Sequence, residues 1–346
     1  MAAGGLTVLV MSACEQAPAS PQAVVVASSS PIPAAATGTA PAPRAGAALE
    51  YDPLSQQLLL IGGMADPSNP PPGEAVPGRD FWGWTPAWGW TLLQPPNLPA
   101  ASYQASMVWD ATVGRVVLLS GAGGEVWDWD GVRWTDAGAA PRTDVAAGVS
   151  YDTADGRLLL LARPPGEAYP PPASGARLSP ASSIASAYQG EAMWSWDGTS
   201  WSESLTPMSW REQAAVAYDQ DQRQLVVYGG YGDGGTTTWL WDGAAWSERQ
   251  TPAFAIANQS SAAYDPIRHQ VIMYAPGGET WSWDGATWEK QSTMGPGYRR
   301  DQSMAFDAAI GEVVMFGGKS PPVSGSDEVF HNDLWAWDGL AWRQLA

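Results

Sequence analysis

The stretch Trp127-Asp128-Trp129-Asp130-Gly131-Val132-Arg133-Trp134 reads W-x-W-D-G-x-x-W, and it recurs at Trp194–Trp201, Trp239–Trp246, Trp281–Trp288 and Trp335–Trp342. The five copies, with three indoles each, hold fifteen of the twenty-one tryptophans. Residues two apart in a strand point to one face, so the first two tryptophans of each copy share a side. Asp-Gly is a strong hairpin signal because the turn needs positive φ. Each copy therefore predicts a strand, a turn and a return strand carrying the third tryptophan. One hairpin cannot bury three indoles, whereas identical hairpins packed side by side can.

The rest of the chain repeats with the same phase. An aromatic-Asp pair ends a first strand at Tyr51-Asp52, Trp109-Asp110, Tyr151-Asp152, Tyr218-Asp219, Tyr264-Asp265 and Phe306-Asp307. An apolar strand follows a short turn in each unit, as at Leu58–Ile61, Val116–Leu119 and Val313–Phe316. Gly-Gly closes it at Gly62-Gly63, Gly229-Gly230 and Gly317-Gly318. Six pairs over about 300 residues make units of about 50 residues, the length of a four-stranded blade.

An apolar strand ending in Gly-Gly, then an aromatic strand, a turn and a Trp at this period resembles the kelch repeat. The resemblance covers residues 44–346 and implies an all-β, six-bladed β-propeller of four-stranded antiparallel blades. The expected blades are 44–98, 99–140, 141–207, 208–253, 254–296 and 297–346. The first unit departs from the motif, with Phe81-Trp82-Gly83-Trp84 and no Asp-Gly. The sialidase Asp-box is a near miss and is rejected, because Asp284 and Gly285 are adjacent. Copper chemistry of the galactose-oxidase type is excluded, because this ring has no Cys and its two histidines, His269 and His331, lie far apart in sequence.

The N-terminus is expected to be an address. Leu6–Met11 is apolar but too short to span a bilayer, and Ser12-Ala13 precede Cys14, the single cysteine. This resembles the lipobox of bacterial lipoproteins, in which the cysteine is lipidated. Met11 stands where Leu is usual, and no Lys or Arg precedes the run. Residues 1–14 thus read as a signal. Residues 15–43, rich in Ala, Pro and Ser, read as a disordered tether of roughly 30 Å root-mean-square span. The expected location is the cell envelope, lipid-anchored outside a membrane, or secreted.

A net charge of −18, with only two lysines, argues against nucleic acid and against a polybasic membrane patch. No zinc spacing, phosphate loop or Ser-His-Asp arrangement is present, and no cofactor or metal is implied. The tryptophans read as packing between blades, and the Asp of each Asp-Gly as a turn residue. The irregular places carry the functional expectation. The connection between the second and third strands is long at Met64–Asp80, Arg163–Gly190 and Lys319–Asn332. Parity puts these loops at the end where the innermost strands begin. Those beginnings carry Arg44, Arg142, Arg211 and Arg300, with Gln104, Gln213, Asn258, Gln259 and Gln302 in related positions. Radial symmetry would converge them on one channel mouth as an anion or carboxylate site. The expectation is a monomeric binding or scaffolding module for a protein, peptide or glycan. The alternative is a carbohydrate-active epimerase, lyase or sialidase-like hydrolase using this mouth, with Glu212 or Asp301 as its acid.

Overall fold

The computed structural model describes residues 40–66, 80–101, 103–120, 124–141, 146–162, 190–209, 211–230, 237–250, 258–292, 294–322 and 328–346. Cys14, Arg142 and the loop at 163–189 lie outside the described residues, as does the expected tether except its last four residues. All regular structure among the described residues is strand.

Six four-stranded antiparallel meanders follow in chain order. Blade one is β1 (Arg44–Asp52), β2 (Gln57–Ala65), β3 (Phe81–Thr85) and β4 (Gly89–Leu93). Blade two is β5 (Ser106–Asp110), β6 (Arg115–Leu119), β7 (Glu125–Trp129) and β8 (Trp134–Ala139). Blade three is β9 (Ala146–Asp152), β10 (Arg157–Ala162), β11 (Gly190–Trp196) and β12 (Trp201–Ser209), which runs past the expected boundary at 207. Blade four is β13 (Ala215–Asp219), β14 (Gln224–Tyr228), β15 (Thr237–Trp241) and β16 (Trp246–Gln250). Blade five is β17 (Ser261–Asp265), β18 (Gln270–Ala275), β19 (Glu279–Trp283) and β20 (Trp288–Ser292). Blade six is β21 (Ser303–Asp307), β22 (Glu312–Phe316), β25 (Leu334–Trp337) and β26 (Trp342–Gln344). A small hairpin, β23 (Lys319–Ser320) with β24 (Val329–Phe330), is inserted in blade six.

The first strands form the inner wall, each packed against two others, and β21 packs on β1 to close the ring. Among the described residues no strand is exchanged between the termini. Closure is stitched instead by backbone bonds from Arg44 N–H to the His331 carbonyl (3.0 Å) and from Gly318 N–H to the Arg44 carbonyl (2.9 Å). Gly317 and Gly318 hold positive φ, and a Cβ on them would lie 2.6 Å from the Arg44 oxygen and 2.8 Å from the Arg300 oxygen respectively. Gly-Gly here is therefore the residue pair that lets blade six meet blade one and its own inner strand.

The repeated motifs now have physical roles. The second strands are continuous apolar runs because both their faces are covered by other blades; Leu58, Leu59, Leu60 and Ile61 are wholly buried. The Asp of each aromatic-Asp pair caps the turn after it: Asp110 Oδ1 accepts from the Thr112 and Val113 N–H groups, and Asp265 Oδ1 from those of Ile267 and Arg268. The Asp of W-D-G does the same. Asp130 Oδ1 accepts from Val132 and Arg133, both at 2.9 Å, so the hairpin loop has four residues and only its glycine, at φ 90°, is left-handed. The second and third tryptophans of each copy then stand opposite each other, as in Trp129 with Trp134 and Trp283 with Trp288, at centroid distances of 5.3 and 5.5 Å.

Six apolar clusters result, one at each seam between blades. In each seam the tryptophans of one blade lie on the blade before it; Trp129 and Trp134, for example, pack on Phe81 and Ile61. The Trp129 indole N–H also donates to Asp52 of blade one at 3.2 Å. Trp283 is wholly buried, whereas Trp241 is only partly so.

Candidate functional site

The channel mouth is built from one repeat position. Gly46, Gln104, Gln213, Gln259 and Asp301 each stand six residues before the Asp of their aromatic-Asp pair. All five hold positive φ, between 53° and 64°. In three of them the N–H runs along the ring to the blade before it. Gly46 N–H donates to the Asp301 carbonyl (2.7 Å), Gln104 N–H to Gly46 (2.8 Å) and Gln259 N–H to Gln213 (3.0 Å). A belt of backbone bonds thus ties the blades together at the mouth, and the same five residues line a cavity of about 130 Å³ on the axis.

Side chains from several blades converge there. Gln213 Nε2 donates to the Tyr103 hydroxyl and to Asp301 Oδ1, both at 3.2 Å. Gln259 Nε2 reaches both oxygens of Asp301, at 3.3 and 3.4 Å, and Arg300 donates to Gln259 Oε1 at 3.4 Å. Arg300 pairs with Glu328, and Lys319 lies 3.1 Å from Glu328 and 3.7 Å from Asp301. Burial and the neighbouring Asp301 carboxylate push the Tyr103 phenol well above its ordinary value, so it stays neutral. Tyr103 has room because Gly46 carries no side chain: a Cβ there would lie 2.5 Å from its ring. The β23–β24 hairpin walls this end, its backbone bridged to Arg300 by bonds of 2.8 and 2.9 Å.

Two expected arginines do not face the mouth. Arg44 and Arg211 are buried in their own blades, and Arg299 is buried the same way. Arg44, Arg211 and Arg299 each donate to the carbonyl of a glycine eighteen residues on: Gly62 (3.1 Å), Gly229 (3.0 Å) and Gly317 (3.0 Å). Arg44 also forms two bonds to Asp80, at 2.8 and 2.5 Å, and Asp80 accepts from the Trp82 indole. Arg299, Asp333 and Trp335 repeat this triad in blade six, while Arg211 uses Thr237. The reason is register. Arg44, Arg211 and Arg299 stand eight residues before the aromatic-pair Asp, and Arg300 stands seven before it. Arg211-Glu212-Gln213 and Arg300-Asp301-Gln302 look alike in sequence but are thus one residue out of phase, and Asp301 is the counterpart of Gln213. Gln302 is buried and donates to the Tyr274 carbonyl. Asn258 stands half-buried next to Gln259. The mouth therefore gathers Gln104, Gln213, Gln259, Gln302 and Arg300 from the expected set and Asp301 from the enzymatic alternative, with Tyr103, Lys319 and Glu328 added. Counting back from the aromatic pairs puts Asp301 in register with Gln104, Gln213 and Gln259.

At its other end the channel widens to a chamber of about 280 Å³ that reaches the turns at Pro53, Gln220 and Pro266 and shares no lining residue with the mouth cavity. Its wall is mostly apolar and holds one carboxyl group, that of Glu50. Aligned on the aromatic pairs, the Glu50 position is Val108, Ser150, Ala217, Ala263 and Ala305 in the other blades. Glu50 touches the channel but is walled by protein, and this desolvation, with a smaller push from Asp52, raises its carboxyl to about 8 against a bond from the Tyr51 backbone that lowers it. His331 near the mouth is held below its ordinary value by burial and by Arg299, and its Nε2 lies 2.8 Å from Ser320 Oγ. Among the described residues no group of three or more His, Cys, Asp or Glu is placed to hold a metal ion.

No protein-family model matches this chain, and no curated protein matches it by sequence. Its fold is similar to that of a solved gluconolactonase from Xanthomonas campestris, with a TM-score of 0.52 and 14% identity over 81% of this chain and 85% of that one. It is also similar to a solved luciferin-regenerating enzyme, with a TM-score of 0.50 and 12% identity over 87% and 94% of the two chains. At such identities the likeness is one of fold: the chain is a six-bladed β-propeller.

Proposed function

We propose that this propeller is a binding module that grips a polar end group of a peptide or glycan at its long-loop mouth. The observation that carries this is the convergence of Gln213, Gln259 and Asp301 from separate blades on one small cavity, with the Tyr103 hydroxyl bonded to Gln213. Amides, a phenol and a carboxylate are the groups that read main-chain amides or sugar hydroxyls through paired donors and acceptors. A cavity of about 130 Å³ takes an end group. Arg44 and Arg211 are committed elsewhere, and at the mouth the cations Arg300 and Lys319 face the anions Asp301 and Glu328. The ligand class is therefore neutral or zwitterionic rather than anionic. Kelch-type repeats and an envelope location, lipid-anchored through Cys14, belong to the same proposal; the six in-phase repeats and the Ser-Ala-Cys sequence support them.

The enzymatic alternative draws its support from Glu50, since a carboxyl poised near 8 in a chamber suits acid-base work. One experiment separates the readings. Peptide and glycan arrays are probed with the wild-type protein and with Asp301→Asn, and the incubated library is examined by mass spectrometry. Binding that is lost in Asp301→Asn, with every ligand recovered intact, fits the proposal. Catalytic conversion of a ligand, or binding indifferent to the mouth substitution, overturns it.

A further inference from the structure

We propose that the chamber at the turn end of the channel is a second binding site, for a small apolar amine whose ammonium group pairs with the Glu50 carboxyl. This site is separate from the mouth: the two cavities share no lining residue. The volume, about 280 Å³, suits a small molecule, and walls such as Leu49, Met107, Val216 and Met304 suit an apolar body. The aromatic side chains of Trp109 and Phe306 also line the chamber and add to its apolar wall.

The single acid decides the ligand's polar group. A hard divalent cation needs several oxygen ligands, whereas at this level the wall offers Glu50 and Ser150, the remaining positions being Val or Ala. An ammonium group needs one carboxylate and tolerates an apolar surround once paired. A net charge of −18 raises the local concentration of cations at a narrow opening. The other titratable groups lining the chamber are the phenols of Tyr51, Tyr151, Tyr218 and Tyr264, each raised by burial and so neutral. Asp52, on the same strand, acts on Glu50 as a like charge. From β5, β9, β13, β17 and β21 the facing residues carry no titratable group apart from those phenols.

The proton balance gives the test its signature. The free carboxyl holds its proton below about pH 8, so an ammonium ion that pairs with it there sends one proton to solvent. Affinity should rise about tenfold per pH unit toward 8 and then level off.

The probe is 2-phenylethylamine, titrated calorimetrically into the full-length protein from pH 6 to pH 9 in buffers of different ionisation enthalpy. Its neutral partner is 2-phenylethanol. The amine should bind at least tenfold more tightly at pH 9 than at pH 6, releasing one proton at the lower pH and none at the higher. The alcohol should bind weakly and equally at both. Glu50→Gln should lose the proton release and at least tenfold in amine affinity, with its far-ultraviolet spectrum unchanged. Equal affinities for amine and alcohol on the wild type would overturn the proposal, as would an amine affinity independent of pH or no amine binding at millimolar concentration. If Glu50→Gln does not fold, the wild-type comparison alone decides. A negative result leaves the mouth proposal intact, since that rests on other residues.

Discussion

Arg44 and Asp80 close on each other through two parallel hydrogen bonds, with both side chains wholly buried in blade one. Arg299 and Asp333 make the same pair within blade six. Each pair fixes the entry of an inner strand to the Gly-Gly end of the second strand and to the base of a long loop. Removing one partner leaves a buried charge, which costs about 3–5 kcal/mol. Arg44→Met should therefore lower unfolding free energy by that order in urea, and Arg44→Met with Asp80→Leu should recover much of it. A single substitution that leaves the midpoint unmoved would show that the pair does not hold the blade.

The tryptophan pairs make a second prediction. Trp283 is wholly buried at the seam between blades four and five, so Trp283→Ala should cost about 3–5 kcal/mol. Trp241→Ala, at a partly exposed position, should cost less. Thermal denaturation of both variants checks the order.

Glu50 sets a pH dependence. Its folded value, about 8, lies above the unfolded value near 4.5. The favourable contribution is complete below 4.5, and it is lost as pH rises through 8, because the unfolded chain ionises first. Glu50→Gln removes this term. The melting temperature of the variant should exceed that of the wild type at pH 9 by an amount equivalent to a few kcal/mol, and the gap should close near pH 4. A gap that is constant with pH would contradict the position assigned to Glu50.

The six blades could be read from the chain because their signals are local. Trp-x-Trp at strand spacing, Asp-Gly turns and aromatic-Asp caps each act within a few residues. The mouth was harder to read because its position depends on register. A shift of one residue separates buried Arg299 from Arg300 at the opening, and nothing local marks the difference. Counting from the aromatic-Asp pairs resolves it, and the same count singles out Glu50 among small and apolar counterparts. The partners of Tyr103 could not be read, because Gln213 and Asp301 are contributed by other blades far along the chain.

Cys14 carries the address proposal. Cys14→Ser should move the protein from the membrane fraction to the soluble one while its melting temperature stays the same. Membrane association that persists in the variant would remove the lipid anchor from the account.

The most direct test of the mouth is a calorimetric titration of the best array ligand into the wild type, Gln213→Ala, Asp301→Asn and Arg343→Ala. Asp301→Asn keeps a residue that tolerates the left-handed backbone at φ 56°, so it changes the charge and spares the turn. Arg343 pairs with Glu312 on the outer rim, far from the axis, and serves as the control. The account predicts at least tenfold weaker binding for Gln213→Ala and Asp301→Asn and an unchanged Kd for Arg343→Ala, with all four proteins melting together. Equal affinities across the four would place the ligand elsewhere on the ring and contradict it.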